Sequence, residues 1–225
     1  ALNLGVDHLE NGGTLTLTFL RSVHETLLSD VPRGQGPVGT FRESMVYLRS
    51  PNPGSEVFVP PAPKHLDDLM ADLEQYLHAK QYPTLVDAAL LHYQLETIHP
   101  FADGNGRLGR VLVPLQFIDA GLLPAPYLYL SSFFERRQGE YVRLLRRVSV
   151  EGAWESWVRF FLTAVAEQAR TATQTLERLA DVHARYHNKY DGTRAADRLA
   201  RHLFDEPYVD ARVVADRLEV SAQTA

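Results

Sequence analysis

Between Pro83 and Gly121 the chain carries two stretches of helical apolar spacing, separated only by His99-Pro100-Phe101-Ala102-Asp103-Gly104-Asn105-Gly106. Leu85, Ala89, Tyr93 and Ile98 mark the first stretch, and Leu108, Val111, Leu112 and Leu115 mark the second. The spacing therefore predicts a helix over 84–98, a tight loop, and a second helix that Gly121 and Pro124 end. Packing of the first helix fixes its axis and so fixes the residue it delivers to the loop, His99. Within this loop and one further turn stand an imidazole (His99), a carboxylate (Asp103) and two guanidiniums (Arg107, Arg110).

That set suits a metal-bound nucleotide. With Asn105 near the N-cap, the second helix aims unpaired backbone N–H groups and its positive dipole end into the loop, which favours phosphate. Glycine lets the backbone approach a ligand with no Cβ in the way. Arg107 and Arg110, three apart, share a helix face and can make bidentate contacts to phosphate oxygens. Mg²⁺ is commonly held by one or two carboxylates plus substrate phosphates, so Asp103 suffices without a metal cage. A lone Asp-Gly-Asn-Gly is usually a turn, and a lone His before Pro is usually a surface or capping residue. It is their conjunction at this spacing that points to phosphate chemistry. Other catalytic readings fare worse. His183 and His187 lie four apart, but no Glu follows His183 and no third ligand is evident. Lys64, Lys80 and Lys189 follow Pro, Ala and Asn, so the Gly-Lys of a P-loop is absent.

Residues His99 to Arg110 resemble the signature of the Fic family: His-Pro-Phe, any residue, Asp or Glu, Gly-Asn-Gly-Arg, two residues, Arg. Similarity extends to Phe58-Val59-Pro60-Pro61-Ala62-Pro63, to His92-Tyr93-Gln94-Leu95-Glu96-Thr97-Ile98, to Leu128-Tyr129-Leu130-Ser131 and to Trp154–Leu162. The resemblance implies a mainly α fold, a Fic-type helical bundle with a small β-hairpin flap, spanning residues 1–190. It implies an enzyme that transfers AMP from ATP to a hydroxyl side chain (Ser, Thr or Tyr) of a protein target, with Mg²⁺. Carried over residue by residue, His99 is the general base and Asp103 the Mg²⁺ ligand. Gly104, Asn105 and Gly106 form the anion pocket, and Arg107 and Arg110 bind the outer phosphates. Tyr141 stands where the family often has an aromatic residue on the adenine side, on a helix beginning near Glu135; a core tyrosine is the equal alternative.

Departures from the family are informative. Residues 39–60 read as two short strands around Pro51-Asn52-Pro53-Gly54, which in the family is a flap that binds the target by strand addition. Many relatives have Gln-Asn-Trp-Ile-Gly there, where this chain has Ser44-Met45-Val46-Tyr47-Leu48. Many relatives also carry an inhibitory helix of Ser or Thr, three residues, Glu, then Gly or Asn. Here Glu10-Asn11 and Glu151-Gly152 have the final pair, but Val6 and Arg147 occupy the first position. The start at Ala1-Leu2 resembles the point just after such a helix. The resulting expectation is a parent protein with a preceding inhibitory segment and, in this chain, an unrestrained Arg110.

With 225 residues, 45% of them hydrophobic, the chain can bury one domain core plus an appendage. It has no cysteine, so thiolate metal sites and disulfides are excluded. A net charge of −5 lacks the footprint of a general nucleic-acid binder. No apolar run approaches a membrane span, and the expected location is cytoplasmic. Leu15, Phe19, Leu20, Val23 and Leu27 suggest a helix, although Leu15-Thr16-Leu17-Thr18 leaves a strand open. Helices are also expected over 66–80 and from Ala153 to about His187. Residues 191–225 read as a linker and the first part of a helix-turn-helix, with Ser221 opening the recognition helix; an amphipathic tail is the rival. This gives a second functional class, a DNA-binding regulator whose Fic-like domain senses nucleotide. A third possibility keeps the enzyme but has it remove AMP or move another phosphate-containing group.

Overall fold

The computed structural model describes residues 1–29, 36–49, 57–190, 198–199, 202–203 and 210–218. In chain order these form α1 (Leu2–Glu10), α2 (Leu17–Leu28), β1 (Leu48–Arg49), β2 (Val57–Phe58), a short 3₁₀ turn (Pro63–His65), α3 (Leu66–Ala79), α4 (Thr84–Ile98), α5 (Asn105–Asp119), α6 (Ser131–Arg136), α7 (Gln138–Glu151), α8 (Trp154–Tyr190) and α9 (Ala211–Leu218). The mainly α expectation with a small hairpin holds. β1 and β2 pair antiparallel, Leu48 opposite Phe58 and Arg49 opposite Val57. The turn expected at Pro51 to Gly54 lies outside the described residues.

The strand alternative at 15–18 loses to a cap. Thr16 is extended and its side chain accepts the Phe19 N–H at 3.2 Å, satisfying one of the orphan donors of α2. α3 ends where Lys80 takes a left-handed conformation, and α5 ends just before Gly121, at φ +69°.

α4 is the central element, and its composition explains why. Ala88, Ala89 and Tyr93 face one apolar cluster, built with Phe117, Phe133, Phe134, Trp157 and Phe161. Leu91, Leu95 and Ile98 face another, built with Leu20, Met70, Phe101, Leu108 and Leu115. A helix apolar on both sides belongs inside, and α3 and α5 flank it. The Trp157 indole is fully buried and donates to the Ala89 carbonyl at 2.8 Å, so the bulkiest core residue also has its polar atom satisfied.

Contacts group the chain into two compact units, Ala1–Ala169 and Arg170–Ala225, a division that falls within α8. In the second unit α9 is capped by Asp210, whose carboxylate accepts the Val213 N–H at 2.8 Å, and Arg198 donates to the Arg217 carbonyl at 2.7 Å. The recognition helix expected from Ser221 lies outside the described residues.

Candidate active site

α4 delivers His99 through a conformation that few residues adopt. Pro100 disfavours helical geometry at the residue before it, and His99 turns into the left-handed region at φ 51°, ψ 59° while its N–H still bonds the Leu95 carbonyl at 2.9 Å. A non-glycine residue at φ > 0 is uncommon and is helped by surroundings that brace it. Arg42 is the reason it holds here. Its buried guanidinium donates to the carbonyls of His99 (2.8 Å), Ile98 (3.3 Å), Pro61 (2.6 Å) and Ser44 (3.1 Å), and its backbone N–H donates to Pro100 (2.9 Å).

The imidazole of His99 is oriented as well. Its Nδ1 lies 3.3 Å from the Glu96 carbonyl oxygen, which can only accept, so Nδ1 carries the proton and Nε2 presents a lone pair. Burial is the largest influence on its pKa and lowers it; the Glu96 carbonyl, next in size, opposes this, Arg42 adds to the lowering and Asp103 opposes it. A lowered pKa favours the neutral ring that a base requires.

The loop beyond His99 is pinned from inside. Phe101 is fully buried, stacked on the His24 ring at 3.7 Å between centroids and tilted against Phe41 at 5.5 Å. Asn105 is buried too, and its amide grips the Phe101 peptide from both sides, accepting from the N–H at 2.9 Å and donating to the carbonyl at 2.8 Å. The N-cap is Gly104, with Asn105 next to it at the first helical position and its side chain turned to the loop's interior. Gly104 sits at φ +85°, a conformation that L side chains rarely adopt, with the His24 ring 3.0 Å from where a Cβ would stand.

Asp103 is half-exposed. Its Oδ1 accepts the Gly104 N–H at 2.6 Å and its Oδ2 accepts from Arg107 Nη2 at 3.0 Å. Arg110 donates from Nε to Ser131 Oγ at 3.1 Å, so the two arginines hold different partners while sharing one helix. Asn105, Gly106 and Arg107 occupy the first turn of α5, where backbone N–H groups have no carbonyl within the helix to bond. Base, carboxylate, free N–H groups and both guanidiniums thus converge on one loop and helix start.

Two supporting residues were not among those singled out from sequence, Arg42 and His24. His24 donates from Nε2 to the Asp103 carbonyl at 2.8 Å and accepts the Gly39 N–H at Nδ1 at 3.0 Å, which fixes its neutral tautomer. Burial is the main cause of its lowered pKa. A signal for it existed: a histidine on the same face as Leu20, Val23 and Leu27, otherwise apolar. For Arg42 no local pattern pointed inward.

Tyr141 is the residue the structure moves. It lies on α7, which begins at Gln138 rather than near Glu135, after the separate α6. Its ring packs against Phe134 (4.9 Å) and Trp157 (5.8 Å), and its hydroxyl meets His92 Nε2 at 3.0 Å. Tyr141 is partly buried, packed against the first apolar cluster.

Among the described residues no three His, Cys, Asp or Glu side chains gather as a metal site, and no helix is long and apolar enough to cross a membrane. Asp103 fits the one-carboxylate arrangement in which substrate phosphates complete the shell of Mg²⁺. Beside the loop, the hairpin exposes Met45, Tyr47, Val57 and Val59, with Tyr47 64% exposed.

Residues 14–116 match the Fic/DOC family. The chain is 33% identical over 149 residues to the protein adenylyltransferase Fic of Aedes aegypti, and 32% to that of Drosophila melanogaster, in each case over 65% of this chain and 27% of the relative. It thus spans about a quarter of the length of these curated relatives. Among solved structures, a Fic family protein from Desulfovibrio desulfuricans superposes with a TM-score of 0.65 at 25% identity, over 98% of this chain and 62% of that one. Fic-1 from C. elegans, at 19% identity and TM-score 0.59 over 79% of this chain and 50% of that one, shares the fold.

Proposed function

We propose that this chain, whose residues 14–116 match the Fic/DOC family, transfers AMP from ATP to a hydroxyl side chain of a protein. The observation that carries this reading is the His99 imidazole, held through Nδ1 on the Glu96 carbonyl so that Nε2 is left for a substrate, beside the first turn of α5. His99 Nε2 takes the proton of the target hydroxyl, and the oxygen attacks the α-phosphorus. The bond from that phosphorus to the bridging oxygen breaks and pyrophosphate leaves. The backbone N–H groups of Asn105, Gly106 and Arg107 hold the phosphate oxygens, and the guanidiniums of Arg107 and Arg110 take the charge that grows on the leaving group. Asp103 would hold Mg²⁺, which, when bound, neutralises phosphate charge. Arg107 then exchanges its Asp103 partner for phosphate. The target segment would lie along the hairpin around residues 39–60, added as a further strand.

The test is incubation with labelled ATP, Mg²⁺ and a cell lysate, beside His99→Ala. A labelled protein band is expected with the parent chain and a loss of about 10²–10⁴-fold in the variant, the usual contribution of a positioned general base. ATP affinity should stay within about twofold. Labelling at the parent rate by His99→Ala refutes the assignment.

A further inference from the structure

Behind the loop lies a buried carboxylate that the proposed chemistry does not use. Glu96 stands on α4, three residues ahead of His99. Its Oε1 is buried and accepts no hydrogen bond from the protein, and its nearest cationic candidate on the same helix, His92 Nε2, is 4.0 Å away and engaged with the Tyr141 hydroxyl. A buried oxygen in that state costs free energy unless something compensates.

Two motif glycines show what it faces. A Cβ on Gly109 would stand 2.9 Å from Glu96 Oε1. A Cβ on Gly106 would stand 3.6 Å from the same oxygen and 2.9 Å from Arg110 Nη1. The carboxylate and the guanidinium thus both flank the position a Gly106 side chain would fill, without a direct hydrogen bond between them at Oε1. Arg110 therefore has two anionic claims on it: this internal carboxylate and, in the proposed function, an outer phosphate.

We propose that Glu96 competes with the nucleotide's outer phosphate for Arg110, so that nucleotide binding is accompanied by proton uptake at Glu96. This rests on the reading that Arg110 meets a phosphate. The groups facing Glu96 are Arg110 on α5, His92 on its own helix and Tyr141 on α7. His92 is pushed down to about 4 by burial, and Tyr141 is raised well above 10 by burial, so both are neutral around pH 7 and Arg110 is the charge that matters. Burial raises Glu96 to about 7 against the opposing pull of Arg110. The sign follows from linkage. A bound polyanion raises the pKa of a neighbouring carboxylate, so binding takes up a proton and affinity weakens as pH rises through 7. This carboxylate lies outside the family's inhibitory pattern, since Thr97 follows it where that pattern needs Gly or Asn.

The experiment is calorimetric titration of the whole chain with ATP and Mg²⁺ between pH 6 and 8.5, in buffers of differing ionisation enthalpy, beside Glu96→Gln. ATP's own phosphate titration is common to both proteins and cancels in the difference. The parent chain should weaken by about tenfold more than the variant across that range, and should take up a fraction of a proton at pH 7 that Glu96→Gln does not. At pH 8 the variant should bind more tightly. The proton measurement on the parent chain needs no variant to fold. Identical pH profiles, or weaker binding by Glu96→Gln, overturn the proposal while leaving the adenylyl-transfer reading intact. No ATP binding by the parent chain at any pH overturns both.

Discussion

The loop at 99–110 and the hairpin beside it are neighbours built on opposite principles. In the loop several backbone groups have interior side-chain partners: Asn105 on the Phe101 peptide, His24 on Asp103, Arg42 on His99. The hairpin is two residues of paired strand on each side with Met45, Tyr47, Val57 and Val59 turned to solvent. The difference separates tasks. Phosphoryl transfer depends on atoms held within a fraction of an ångström, and a buried hydrogen-bond network supplies that. Selecting a protein segment depends on an accessible edge and a few side chains, which a short exposed hairpin supplies.

The comparison breaks most readily at Arg42. Arg42→Met removes the donors to four carbonyls in one step and leaves them without that partner in the interior, at a cost of about 3 kcal/mol in unfolding free energy. Transfer should fall with it even where the protein remains folded, because the left-handed turn at His99 loses its clamp. Chemical denaturation and single-turnover transfer measure the two separately. A variant that keeps parent stability shows that the loop is held by something else.

A smaller effect sharpens the same contrast through His24. Its folded pKa is lowered from 6.5, so the unfolded chain binds the proton more readily. Its contribution to stability is complete above pH 6.5 and declines as pH falls below that value. His24→Phe keeps the stack on Phe101 and loses both hydrogen bonds, which should cost about 1–2 kcal/mol at pH 7.5. The deficit should narrow toward pH 5, giving a shallower acid limb in a series of denaturation curves. A deficit constant with pH assigns the acid sensitivity elsewhere.

The smallest expected effect lies on the hairpin. Tyr47→Ala alters an exposed side chain and should leave stability within about 0.5 kcal/mol. KM for the protein target should rise several-fold while KM for ATP stays fixed. An equal change in both would erase the division of labour between the two regions.

Much of this was legible in the sequence, for identifiable reasons. α4 spans Thr84–Ile98 as its apolar spacing predicts, because Pro83 and Pro100 bracket it and nothing in its interior competes with the helix. The loop's functional residues stand in one contiguous run, so no tertiary knowledge was needed to gather them. Arg42 was invisible because its partners come from residues 44, 61, 98 and 99, a set that only the folded chain assembles. Tyr141 poses the converse case. Its place in the sequence agrees with a pocket lining, while its contacts with Phe134, Trp157 and His92 are visible only in the folded chain.

α4 touches one apolar cluster with Ala88, Ala89 and Tyr93 and the other with Leu91, Leu95 and Ile98, and its last turn carries the imidazole. Damage at a distance consequently registers at the base. A screen for variants that fold yet fail to label would recover Trp157 and Met70, one from each cluster, alongside residues of the signature itself. Each such hit would mark a tilt of the shared axle, and none would point to lost chemistry.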